Sequence, residues 1–196
     1  YGTSKGESSE SVSKTENALE ALMGLTEGLL DLSRTSAEEQ GVVDVNKVIS
    51  HIKEMLSYEF RKKGVEFETV IPEGPLICPV RKNDLMLTLV NLLINSKDAT
   101  DFGGRVSVSA FRDDGQAVIK ITDTGRGMSE DIKEKAMNPF YTTKGGDGTG
   151  LGLFIANKIS NAHGGIIHLE SQPLKGCEFN VKLPRRSIDL SSRDLK

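Results

Sequence analysis

The segment from Asp84 to Thr100, DLMLTLVNLLINSKDAT, restricts the possible folds more than any other in the chain. Its periodicity predicts a helix from about Asn83 to Thr100. At about 100° per residue, Asp84, Thr88, Asn91, Asn95 and Asp98 fall within an arc of roughly 80°. Leucine, methionine, valine and isoleucine take most of the remaining circumference. A helix apolar on most sides belongs in an interior, so its polar stripe must face either solvent or a ligand. Two asparagines one turn apart offer neutral carbonyl oxygens, which suit a hard cation such as Mg²⁺. An ordinary amphipathic helix with a narrow wet face is the competing reading.

The neighbouring segments point to an α+β domain. Asp44 or Asn46 is placed to cap a helix running to about Lys63, with Val45, Val48, Ile49, Ile52 and Leu56 inward. VEFETVIP alternates and stops at proline, a strand signal, and Leu76 to Val80 is a shorter strand candidate. RVSVSAFR and QAVIKITD, joined by DDG, read as a hairpin. Leu151 to about His163 is helical and ends at Gly164-Gly165, and Ile166–Glu170 with Cys177–Leu183 form a final hairpin. These elements do not alternate as βαβ units. The expected architecture is a two-layer sandwich, a mixed and largely antiparallel sheet with helices on one face. Upstream, Ala18, Leu22, Leu25, Leu29 and Leu32 follow alternating four- and three-residue steps, widened by Leu19, Met23 and Leu30. A helix from Ser13 to about Arg34 is expected there. It is followed by the linker SAEEQGVVDV, and its seam is read as packing on another chain rather than on its own domain.

Composition narrows the function. A net charge of -3 and a pI near 5.7 argue against a general nucleic-acid binder. Cys78 and Cys177, about a hundred residues apart, fit neither a disulfide framework nor a metal site, and are read as reduced thiols. No apolar run approaches the roughly 18 residues of a membrane span, and YGTSKGESSES lacks the apolar centre of a signal peptide. A cytoplasmic chain without membrane contact is expected, either complete or the cytosolic piece of a longer sensor.

Two further segments bear on the polar stripe. In KITDTGRGMSED, Asp123 ends a strand and is followed by Gly125 and Gly127, so a carboxylate stands beside permissive backbone and can accept from an exocyclic amine. In YTTKGGDGTGLGL, five of the eight residues from Gly145 to Gly152 are glycine, a density that implies close approach to a ligand. A P-loop is excluded because no Gly-Lys-Ser/Thr occurs, and a Rossmann fingerprint because Gly148, Gly150 and Gly152 follow a turn-like NPFYTTK. Glycines entering a helix expose backbone N–H groups and the positive end of its dipole, which suits phosphate.

Taken in order, NLLINSKDA, DTGRGM, NPFYTTK and GTGLGL closely resemble the N, G1, F and G2 boxes of sensor histidine kinases, within the gyrase, Hsp90, histidine kinase and MutL superfamily with the Bergerat fold. The resemblance covers about Val45 to Leu183. GLLDLSRTSAEEQGVVDVNKVI also looks like the end of a second dimerisation helix and its link to a catalytic domain. The resemblance implies a leader over 1–11, a dimerisation-type helix and linker over 12–40, an ATP-binding catalytic domain over 41–185 and a tail over 186–196. It implies ATP and Mg²⁺ as ligands, with Asn95 on the metal, Asn91 near the phosphates and Asp123 receiving the adenine amine. Gly125 and Gly127 would let the base lie against backbone, and Phe140 would anchor the ATP lid. Lys144 would approach the phosphates, and Thr149, Gly150 and Gly152 would wrap them. Asp98, Thr143, Gly148 and Leu151 complete the expected nucleotide-binding set, of which Asn91, Asn95 and Lys144 are the catalytic candidates.

Superfamily hydrolases carry a glutamate one turn before the metal-binding asparagine, as the base that activates water. This chain has Asn91 there, an amide without useful basicity, so the expected chemistry is phosphoryl transfer. The family's acceptor is a histidine on a first dimerisation helix, and none of His51, His163 and His168 has that context. The expectation is therefore a fragment that begins after the acceptor helix, self-associates through its N-terminal helix as part of a homodimer, and serves a response regulator receiver domain. A nucleotide-binding interaction module and a serine kinase of the same superfamily are the alternatives.

Overall fold

The computed structural model describes residues 41–145 and 148–184. The helix expected over Ser13 to Arg34, the leader and the tail from 186 lie outside the described residues. Seven strands and four helices follow: β1 (Val43–Asp44), α1 (Val45–Lys63), β2 (Glu66–Val70), β3 (Ile77–Cys78), α2 (Lys82–Ala99), β4 (Arg105–Asp113), β5 (Gln116–Asp123), α3 (Glu130–Lys135), α4 (Gly152–Ala162), β6 (Ile166–Ser171) and β7 (Cys177–Lys182). Five strands form one sheet in the order β2-β4-β5-β7-β6, with β2 parallel to β4 and every other pair antiparallel. This is the mixed, helix-covered sheet expected of the sequence. The expected linker before Val45 ends in a strand, because Val43 and Asp44 pair with Cys78 and Ile77.

The N-terminal helix is fixed by its cap. Asp44 Oδ1 accepts from Asn46 N (3.1 Å) and also from Leu76 N (3.1 Å), so one carboxylate starts α1 and holds the approach to β3. Asn46, the other candidate cap, instead donates through Nδ2 to the carbonyls of Pro72 (3.2 Å) and Gly74 (2.7 Å). Val45, Val48, Ile49, Ile52, Leu56 and Phe60 form the buried stripe of α1. Phe60 stacks on Phe67 of β2 with ring centroids 4.3 Å apart. Basic residues fill the last turn, and Lys63 Nζ donates to the Lys97 (2.6 Å) and Asp98 (2.9 Å) carbonyls at the end of α2.

On α2 the apolar side, Leu85, Leu89, Leu92 and Leu93, is almost completely buried against the inner residues of the sheet, among them Val106, Ile119, Ile121, Phe179 and Val181. The polar stripe is divided. Asp84 and Thr88 are buried, whereas Asn91, Asn95 and Asp98 open onto a cavity. Asp84 Oδ2 accepts from Arg81 Nε (2.7 Å) and contacts His163 Nε2 (2.5 Å) at the far end of α4. Burial opposes its charge, but the hydrogen bonds from His163 and Arg81 outweigh that cost and hold the carboxyl below its ordinary value.

A carboxyl held low contributes stability above its unfolded value, near about 3.9, and loses it as pH falls through the folded value. Asp84→Asn is accordingly expected to cost about 1.5–3 kcal/mol at pH 7, the range for hydrogen bonds to a charged group. The deficit should narrow as pH drops below about 4, as read by urea denaturation at each pH.

Candidate functional site

Helices α2 and α4 run in opposite directions and enclose the stripe between them. Asn91 Nδ2 donates to the Leu87 carbonyl (2.9 Å), which fixes the amide, and Oδ1 faces the start of α4. There Gly152 comes so close that a Cβ added to it would lie 3.1 Å from Asn91 Oδ1 and 3.3 Å from Asn95 Nδ2. A Cβ here would crowd both amides, which would have to give by a few tenths of an ångström, so this glycine lets the first turn of α4 sit directly on them. No side chain caps the first turn of α4, so its N–H groups remain free for an anion. Gly150, two residues earlier, holds φ +67 with its α-carbon against the backbone of Phe140 and Tyr141, where an L side chain would be both strained and blocked.

The cavity between these helices has a volume of about 650 Å³, within the range of small-molecule sites. Its wall contains Asn91, Asn95, Asp98, Gly127, Thr143, Lys144, Gly148, Thr149, Gly150, Leu151 and Gly152. Eleven of the fourteen residues expected to bind nucleotide are thus brought together. Asp123, Gly125 and Phe140 stand outside the wall. Phe140 is 62% exposed with φ +64, and its main chain, rather than its ring, meets Gly150.

Asp123 lies behind the wall at the end of β5 and is only 2% exposed. Oδ1 accepts from Gly125 N (2.9 Å) and from Cys177 N (3.1 Å), the latter a residue of the wall. Oδ2 is buried and makes no well-formed hydrogen bond, and the neighbouring Ser96 hydroxyl on α2, likewise without one, is near enough to act on the carboxyl as a weak donor. Burial pushes the Asp123 carboxyl above its ordinary value, although the Gly125, Ser96 and Cys177 groups pull it back. A desolvated carboxylate oxygen with so weak a partner is expensive in a fold.

At the other end, Lys144 Nζ lies 2.7 Å from Asp98 Oδ2 and 3.3 Å from Asn95 Oδ1. Among the described residues no group of three or more His, Cys, Asp or Glu could cage a metal. The donors at this corner are amide oxygens, which fit a hard cation that keeps most of its ligands from water or phosphate. Both cysteines are free and buried, and burial pushes the Cys78 thiol up to about 12.

Several wall residues had no signal in the sequence. Ile132 and Ala136 belong to α3 and its end, a six-residue helix inside a stretch without clear periodicity. Ile94 and Ala99 are apolar residues flanking the polar stripe of α2, and Cys177 reaches the site only through the pairing of β7 with β5. Tyr141 sits within NPFYTTK, so its neighbourhood was legible but its contact was not.

The model of the family described as histidine kinase-, DNA gyrase B-, and HSP90-like ATPase matches residues 81–187, more than half of the chain. Sensor histidine kinase ZraS of Klebsiella oxytoca is 32% identical over 160 residues, covering 80% of this chain and 34% of the relative. The catalytic domain of histidine kinase ThkA superposes with a TM-score of 0.69 at 28% identity, covering 76% of this chain and 97% of that domain. ThkA in complex with the response regulator TrrA gives 0.69 at 24% identity, over 87% of this chain and 49% of that one, a likeness of fold. Full-length ShkA in complex with AMPPNP gives 0.72 at 25% identity, over 87% of this chain and 36% of that one. The chain spans about a third of the length of the curated relatives it matches.

Asp123→Asn keeps Oδ1 for its two donors and removes the buried charge. A raised carboxyl costs stability once ionised, and that cost fades as pH falls into its titration range. At pH 7 the variant is expected to match the parent Tm or exceed it by a few degrees, with the gap closing toward pH 4; a loss of more than about 5 °C would show that Oδ2 already has a partner.

Proposed function

The chain belongs to the histidine kinase-, DNA gyrase B- and HSP90-like ATPase family, as an ATP-binding catalytic domain of the sensor histidine kinase type, and from that premise we propose that it passes the γ-phosphate of ATP to a histidine outside residues 41–184. The observation that carries the proposal is the unpartnered Oδ2 of Asp123. Its other oxygen is tied to two backbone N–H groups, so the free one is aimed by the fold rather than by a mobile side chain. An adenine amine satisfies it and recovers a charged hydrogen bond. Gly125 and Gly127, expected to lie against the base, are instead required by the fold, since a Cβ there would strike the carbonyls of Ala99 and Gln172.

In this reading the phosphates lie at the start of α4. Gly152 brings a free N–H group to them, whereas Leu151 N donates to Thr149 Oγ1 (3.4 Å); Thr149, Gly150, Gly148 and Thr143 shape the approach, and Lys144 supplies a positive charge. Phe140 fixes the backbone at which this segment begins. Asn95 Oδ1 would hold Mg²⁺, with Asn91 beside it, and the ion would neutralise charge on the phosphates. Asn91 has its amide committed to the Leu87 carbonyl and cannot take a proton from water. The site therefore positions ATP without activating a hydrolytic nucleophile, as a kinase requires.

The acceptor is assigned to a dimerisation helix, with the helix expected over Ser13 to Arg34 supplying self-association as a homodimer. A receiver domain of a response regulator takes the phosphoryl group onward, a role supported by the ThkA complex with TrrA. Among the described residues no helix is long and apolar enough to cross a membrane. We read the reaction as cytoplasmic, a reading supported by ATP as the donor and by two free thiols.

Mixing the chain with γ-labelled ATP and an acceptor-helix peptide tests the transfer. Acid-labile label on the peptide is the expected outcome, whereas tight ATP binding without label indicates a binding module and acid-stable label a serine kinase. Asp123→Asn is expected to weaken ATP binding by roughly 10- to 100-fold, in calorimetry, while the fold persists. Asn95→Ala should remove the Mg²⁺ dependence of ATP affinity; retained dependence would reassign the metal ligand.

A further inference from the structure

Asp98 closes the polar stripe of α2, and its carboxylate is the nearest partner of the one lysine in the YTTK segment. We propose that Asp98 is a positioning residue that acts on the nucleotide through Lys144, holding its ammonium at the phosphate end of the cavity. The inference rests on the nucleotide reading of that cavity and assigns how one of its charges is set in place.

Three features of the structure support it. Asp98 is itself well anchored: its carbonyl accepts from Lys63 Nζ at 2.9 Å, so the end of α2 is tied to α1. Lys144, by contrast, stands in an irregular segment whose local restraint is Lys144 N donating to Thr142 Oγ1 at 3.1 Å. A lysine on such backbone samples many rotamers, and a carboxylate carried on the tethered end of α2, 2.7 Å from Nζ, favours the ones that point into the site. An ammonium has three donors; Asp98 Oδ2 takes one at 2.7 Å, and the long 3.3 Å contact to Asn95 Oδ1 is given up when that oxygen turns to the metal, leaving two donors for phosphate oxygens. The pair is partly exposed, with side chains 28% and 37% accessible, so its effect is modest.

The sign of the effect makes the proposal decidable. A bare carboxylate beside phosphates repels them, so its neutralisation tightens ATP binding. A carboxylate that positions Lys144 does the opposite. With the whole chain, Asp98→Asn is expected to weaken ATP by about two- to fivefold, leave adenosine affinity unchanged, and have no further effect in a Lys144→Met background. Asp98→Glu should restore most of the loss. Without nucleotide, the same Asp98→Asn change should speed amide hydrogen exchange over residues 141–145 by a similar factor. Tighter ATP binding, an equal loss for adenosine, or an undiminished effect in the Lys144→Met background would each overturn the proposal. If the unaltered chain failed to bind ATP, the reading of the cavity would fall. Unchanged exchange over 141–145 would refute the tether on its own.

Discussion

The packing of α2 against α4 governs the site, and it is fastened at both ends by different chemistry. Near the start of α2, Asp84 takes His163 and Arg81 together, a buried acid balanced by two donors. Near its end, the contact is steric: Gly152 has no side chain, so the first turn of α4 settles on the amides of Asn91 and Asn95. Removing the first fastening loosens the pair without altering the cavity's own groups. Enlarging the second crowds the first turn of α4 against these two amides, which line the same cavity. The stripe on α2 is therefore one feature in sequence and two in structure, half holding the helices together and half offered outward.

Asp123 shows what such a site costs the fold. Its carboxyl is buried, one oxygen is satisfied, and the other is not. Nothing in the packing needs the charge, since an amide would serve Gly125 and Cys177 as well. The unpaired oxygen makes sense as a receptor for a donor that arrives from outside. Asn91 illustrates the complementary restraint. Its amide is locked to Leu87, so the position that could activate water is held inert.

Much of this was legible because it was local. The cap at Asp44, the end of α1 before Gly64, the hairpin through Asp114 and Gly115 at positive φ, and the helix opening the glycine run all follow from residues within a few positions of one another. The order of four short motifs identified the cavity's ligand class through resemblance. What stayed hidden depended on distance along the chain. His163 and Asp84 are 79 residues apart, and nothing around either announces the other. The parallel pairing of β2 with β4 and the arrival of Cys177 beneath Asp123 are likewise products of topology. α3 was missed because six residues with no buried side chain leave no periodicity to read.

α1 joins two places that the chemistry treats separately. One end is clamped by Asp44 to the β1–β3 ribbon, where the described chain enters; the other reaches the carbonyls of Lys97 and Asp98 through Lys63. Nineteen helical residues make a stiff rod of about 28 Å. Because both tips are hydrogen-bonded and the middle is embedded in the core, the rod has little freedom to bend or slip. The place where the described chain enters and the rim of the cavity are consequently held at a fixed separation.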